Sequence, residues 1–148
     1  AASLTGMNFQ IASPTDYESP EKILRLAQQY AKESGGEVFY TEDPHQAVEG
    51  ADVVYTDVWA SMGQEDEVEQ RRRIFASYQV NNELLSRAKA DAIVMHPLPA
   101  HHGEEVAEGT IDSPQSVVFD QAENRLHAQK ALLAQLLGGL EIPLTSQR

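Results

Sequence analysis

The sequence predicts an α/β fold: a three-layer, doubly wound sheet of about five parallel strands with helices on both faces. Three observations predict it. Short runs rich in Val, Ile, Phe or Tyr recur along the chain, stretches with helical spacing alternate with them, and each run ends at a polar residue or Pro. A length of 148 residues fits one domain and can bury a substantial core.

The chain opens on Ala1-Ala2-Ser3-Leu4 without an initiator Met, a stretch that fits the tail of a helix, so a piece of a longer protein is expected. The candidate strands are Asn8–Ala12, Glu37–Thr41, Val53–Thr56, Ala92–His96 and Ser116–Phe119. The first long helix is expected to open at Ser19-Pro20-Glu21, a cap followed by Pro at the first helical position. Ile23, Leu24, Ala27, Tyr30 and Ala31 share one face of it, and Gly35-Gly36 ends it. A second helix is expected from about Glu65 to Phe75. It is acidic at its start and basic at its end, complementing the helix dipole, and Glu67/Arg71 and Glu69/Arg73 are spaced for ion pairs. That order makes Arg71-Arg72-Arg73 a helix C-terminus before it is a phosphate patch. Asn82–Ala88 reads as a short helix. The last helix is expected from Asp120 to about Leu137, with Ala122, Leu126, Gln129, Leu133 and Leu136 along one stripe and a stop at Gly138-Gly139. Leu140–Arg148 is a tail with weak signals.

In a Rossmann-like sheet of this kind, ligands sit at the carboxyl ends of the strands. Those positions read Ser13-Pro14, Glu42-Asp43, Asp57, His96-Pro97-Leu98-Pro99 and Asp120. After the third strand, Asp57 could pair with an ammonium group, Ser61 adds a hydroxyl, and Gly63 permits a tight turn. A capping Asp, with Trp59 and Met62 as packing, fits the spacing equally well. In His96-Pro97-Leu98-Pro99 each proline is expected to push the residue before it toward extended geometry, fixing two carbonyl directions suited to orienting a small planar amide. A stiff turn leaving the sheet is the plainer reading. Adjacent His101 and His102, followed by Gly103-Glu104-Glu105, point apart in an extended loop. A polar, mobile loop is therefore expected there, and no metal site. Asp120 and Glu123 have capping-box spacing. Arg125, expected within the first turn or two of that helix, could hold phosphate oxygens or simply pair with a carboxylate.

Composition narrows the partners. The formal net charge is -12, from 11 Lys+Arg against 23 Asp+Glu. Such a surface repels nucleic-acid backbones and anionic lipid while tolerating a cationic small molecule. There is no cysteine, hence no disulfide or thiolate chemistry, which fits a reducing cytoplasm. No apolar run approaches the ~20 residues of a membrane span.

Taken together, Thr56-Asp57-Val58-Trp59-Ala60-Ser61-Met62-Gly63-Gln64-Glu65, His96-Pro97-Leu98-Pro99 and Asp120-Gln121-Ala122-Glu123-Asn124-Arg125 resemble the carbamoyltransferase family, in particular its ornithine branch. The similarity runs from Gly6-Met7 to the last helix. The resemblance implies that Asp57 holds the α-amino group of L-ornithine, with Ser61 and Met62 lining that end of the site. It implies that the carbonyls of Pro97 and Leu98 orient the carbamoyl NH₂, within a catalytic loop His96, Pro97, Leu98 and Pro99. Arg125 would bind the phosphate of carbamoyl phosphate. Attack by the ornithine δ-amine would give citrulline and phosphate, a step of arginine biosynthesis, with no metal or organic cofactor.

Two departures from the family pattern stand out. Pro97 replaces the Cys usual in the ornithine branch, giving the His-Pro-Leu-Pro of the aspartate branch, and His102 stands where many relatives carry Arg. An aspartate-specific site would want cations for a dicarboxylate, whereas Asp57 brings a carboxylate. The family's Ser-Thr-Arg-Thr phosphate loop belongs to an N-terminal domain and does not occur in this sequence. The chain is therefore expected to be the single second-substrate domain, without turnover of its own. Full-length relatives form homotrimers chiefly through the other domain, which leaves a monomer open to this piece.

Other classes fit less well. A receiver-type phosphoacceptor would need acidic residues after the first strand and Lys after the last, where Ser13-Pro14 and Asp120 stand. A dinucleotide-binding module would need a Gly-rich turn after a strand, and Gly-x-Gly-x-x-Gly is missing.

Overall fold

A computed structural model describes residues 1–60, 63 and 65–138. Strands β1 (Phe9–Ala12) and β2 (Val38–Thr41) pair in parallel, and so do β3 (Val53–Tyr55) and β4 (Ile93–Met95). Helices α1 (Glu21–Ser34), α2 (Pro44–Val48), α3 (Val68–Phe75), α4 (Asn82–Leu85) and α5 (Val118–Gly138) separate or follow them. The chain is thus α/β with parallel strands, as its alternating pattern predicts. Among the described residues the strands form two pairs, and no ladder joins β1 to β3. A cavity of about 370 Å³ lies there instead, lined by Gln10 and Ala12 of β1 and by Val53 to Trp59.

The expected fifth strand, Ser116–Phe119, is reduced to a single parallel bridge between Val94 and Ser116. Val94 N–H donates to the Gln115 carbonyl at 2.8 Å, and Val117 N–H donates to the Val94 carbonyl at 3.0 Å. The chain then turns helical, with Gln121 N–H donating to the Val117 carbonyl at 2.9 Å. Helix α5 therefore begins two residues earlier than expected, and Asp120 lies inside its first turn instead of capping it.

Pro20 itself occupies the N-cap of α1, with no side-chain cap, and Gly35 ends the helix at φ 85°. The following Gly36 is required by close approach: a Cβ there would lie 2.5 Å from the Met7 carbonyl oxygen. Ala31 is buried and Leu24 and Ala27 are half-buried, so they carry the packing face, while Ile23 stays exposed. Helix α2, which lacks the length for a periodic pattern, is capped by Asp43, whose carboxylate accepts from His45 N–H at 2.9 Å. A 3₁₀ turn over Glu65–Glu67 precedes α3. The Glu67–Arg71 pair forms at 2.9 Å, whereas Glu69 pairs with Arg72 at 2.6 Å and not with Arg73. The expected Asn82–Ala88 helix is the shorter α4, capped by Asn81 accepting from Leu84 N–H.

The core gathers Val48, Val54, Val80, Leu84, Leu85, Val94, Val106, Ile111 and Val118 around the β3–β4 pair. The apolar stripe of α5 does not join it: Leu126, Leu133 and Leu136 are more than half exposed. The tail from Leu140 to Arg148 lies outside the described residues.

Candidate functional site

Parallel register positions the site. Tyr55 of β3 faces Met95 of β4, and Thr56 N–H donates to the Met95 carbonyl at 3.2 Å. Asp57 and Pro97 each follow that pair by two residues, so both leave the sheet on the same edge. Asp57 is exposed, lines the cavity, and accepts from Val58 N–H at 2.7 Å. Ser61 and Met62, the other residues expected at this end, lie outside the described residues.

The loop after Asp57 is held from α3. Arg71 donates to the Trp59 carbonyl at 3.1 Å, pairs with Glu67, and sits 5.0 Å from the centroid of the Tyr17 ring. Phe75 meets Tyr17 edge-on at 5.0 Å and stacks on Trp59 at 6.3 Å. Sequence spacing predicts the helix-dipole role of Arg71 and its pair with Glu67; its reach to the Trp59 carbonyl spans 12 residues and leaves no local pattern.

The His96-Pro97-Leu98-Pro99 turn leaves β4 with His96 fully buried, Pro97 and Leu98 half-buried, and Pro99 exposed. Leu98 is not extended, as the following proline predicts, but has φ 54°, and the Leu98–Pro99 bond is cis. A left-handed non-glycine residue costs about 1–2 kcal/mol and needs an external hold. Here Leu98 N–H donates to His96 Nδ1 at 2.9 Å, and the Leu98 side chain packs against the core.

Arg125 is exposed and is the eighth residue of α5, past the first two turns, so it is not beside the helix's unpaired N–H groups as expected. Its place is fixed through Gln121, one turn earlier on the same helix face. Gln121 Oε1 accepts from His96 N–H at 3.0 Å, and its Nε2 donates to the Tyr55 hydroxyl at 3.3 Å. This one amide therefore joins α5 to the ends of β3 and β4. Gln121 carried no individual signal in the sequence, since a Gln in the first turn of a helix is ordinary.

In the segment His101–Glu105, His101, His102 and Gly103 are exposed, as a polar loop would have them, but its last residue turns inward. Glu105 is fully buried, and its Oε1 accepts from His101 N–H at 2.6 Å. Glu104 accepts from Arg72 at 2.7 Å, and that guanidinium holds its carboxyl below the usual range. His101 faces Glu105 and His102 faces Glu108, each at 3.8 Å, so the two imidazoles do part. One ligand-capable atom from each of His101, Glu104 and Glu105 lies within 4.8 Å of the others. Glu104 and Glu105 are already engaged by Arg72 and by His101 N–H.

Among the described residues, no helix is long and apolar enough to cross a membrane. A family model described as "Aspartate/ornithine carbamoyltransferase, Asp/Orn binding domain" matches residues 1–136. An ornithine carbamoyltransferase from Thermococcus kodakarensis is 58% identical over 142 residues, covering 96% of this chain and 45% of the relative. An anabolic ornithine carbamoyltransferase from Pyrococcus furiosus is 56% identical over 141 residues, covering 95% of this chain and 45% of its own. The solved ornithine carbamoyltransferase of Pyrococcus furiosus superposes with a TM-score of 0.87 at 56% identity, over 94% of this chain and 44% of that one. The anabolic enzyme of Campylobacter jejuni gives 0.87 at 36% identity, over 94% and 46%. The chain thus spans a little under half the length of the relatives it matches.

Proposed function

Because this chain belongs to the aspartate/ornithine carbamoyltransferase family through its Asp/Orn binding domain, we propose that it supplies the L-ornithine half of a carbamoyl-transfer site. Asp57 takes the α-ammonium group, with Ser61 and Met62 beside it. The carbonyls of Pro97 and Leu98 accept from the carbamoyl NH₂ and turn the carbamoyl carbon toward the nucleophile. Arg125 takes phosphate oxygens. The neutral δ-amine of ornithine forms a C–N bond to that carbon, the C–O bond to phosphate breaks, and the amine loses a proton. Citrulline and phosphate result.

The observation that carries this reading is the shared edge: Asp57 and Pro97 leave adjacent parallel strands at the same register, and Gln121 fastens the Arg125 helix to both. The aspartate branch shares His-Pro-Leu-Pro, but a carboxylate at position 57 repels a dicarboxylate and attracts a cation. The remaining carbamoyl phosphate contacts come from an N-terminal domain outside this sequence. In this reading the chain alone has negligible turnover, and no metal or organic cofactor takes part.

The test is complementation. The purified chain is incubated with ornithine and carbamoyl phosphate, alone and with the N-terminal half of a close relative, and citrulline is measured. Citrulline only in the mixture is expected; citrulline from the chain alone contradicts the division of labour.

A further inference from the structure

The best-buried ionisable pair in the described molecule has no part in the reading above. His96 and Glu105 are both fully buried, with His96 Nε2 3.2 Å from Glu105 Oε1. The other imidazole nitrogen, Nδ1, accepts from Leu98 N–H at 2.9 Å. A nitrogen that accepts carries no proton, so a neutral His96 must carry its proton on Nε2, the atom facing the carboxylate. Nε2 makes no aligned hydrogen bond in the structure, and the Glu105 carboxylate faces it. The same Glu105 oxygen accepts from His101 N–H at 2.6 Å. One carboxylate oxygen thus accepts from one end of the segment 96–101 and lies 3.2 Å from the imidazole at the other, and Leu98, at φ 54°, lies between them.

We propose that Glu105 is a positioning residue for the substrate-facing turn. Its carboxylate selects the Nε2–H tautomer of His96, so that Nδ1 stays free to anchor the Leu98 amide and fix the Leu98 carbonyl. The role given to that carbonyl rests on the function proposed above; the tautomer and the anchor do not. A shell of this type, in which a buried carboxylate orients an imidazole that orients a reacting group, sets direction without touching substrate.

The experiment uses the chain without any substrate. Two-bond ¹H–¹⁵N spectra of ¹⁵N-histidine-labelled protein read the His96 tautomer, and amide hydrogen exchange reads the Leu98 anchor. The native chain is expected to show neutral His96 with the proton on Nε2. Glu105→Gln, which keeps an acceptor oxygen, should retain that pattern. Glu105→Leu, which removes it, should shift the tautomer toward Nδ1–H and speed Leu98 exchange about tenfold or more. An imidazolium or Nδ1–H form in the native chain overturns the proposal. So does loss of the pattern in Glu105→Gln, or a Glu105→Leu chain indistinguishable from native. Should Glu105→Leu not fold, the native and Glu105→Gln spectra decide by the same criteria. Absence of ornithine binding alongside the expected spectra would fault the function proposed above and leave this anchor standing.

Discussion

Leu98 holds a left-handed backbone although a proline follows it, and the reason is a partner two residues back: its N–H donates to His96 Nδ1. Local rules for residues before proline describe chains free of such partners, so the sequence alone predicts the wrong conformation here. Glu104 illustrates the same point in charge. The Arg72 hydrogen bond holds its carboxyl below the usual value, against a smaller opposing effect of burial. A lowered folded-state value means that the stabilisation is fully present above the ordinary carboxylate range. It fades as pH falls through the lowered value. A ¹³C carboxyl titration should therefore find Glu104 titrating below the ordinary glutamate range, and Arg72→Ala should move it back up. An unmoved Glu104 in Arg72→Ala would show that the guanidinium is not the cause.

At the scale of elements, the four strands were legible to within one residue at either end, because each is a short apolar run bounded by polar or Pro residues. What was not legible depends on partners remote in sequence. Val117 and Val118 have the β-branched composition of a strand, yet after one bridge to Val94 the chain turns into α5. The stripe along α5 has helical spacing, but spacing reports periodicity and not burial, and its leucines remain exposed. Of the candidate site, the strand-end residues follow from the rule that ligands gather there. Gln121, Arg71 and Glu105 do not, since their roles are contacts across 12 or more residues or burial inside a charged-looking loop. Leu84 of α4 is buried in the core. Leu84→Ala should cost about 2–4 kcal/mol, read as a lower denaturation midpoint in urea with an unchanged slope. A loss below about 0.5 kcal/mol would mean that α4 packs only loosely.

Over the whole molecule, two pairs of parallel strands place their carboxyl ends beside one another, with a cavity of about 370 Å³ between β1 and β3 that reaches Asp57. A net charge of -12 favours a cationic ligand over an anionic one, in line with the L-ornithine proposed as this half's ligand. The central claim is that the loop after β3, the turn after β4 and the start of α5 form one face for that ligand. Amide ¹H–¹⁵N spectra recorded during titration with L-ornithine address it most directly. The account predicts shifts concentrated at Asp57–Ala60 and His96–Ala100, and Asp57→Asn should weaken the binding about tenfold or more through loss of a charge-assisted contact. Shifts confined to residues away from that edge, or binding unchanged in Asp57→Asn, would contradict it.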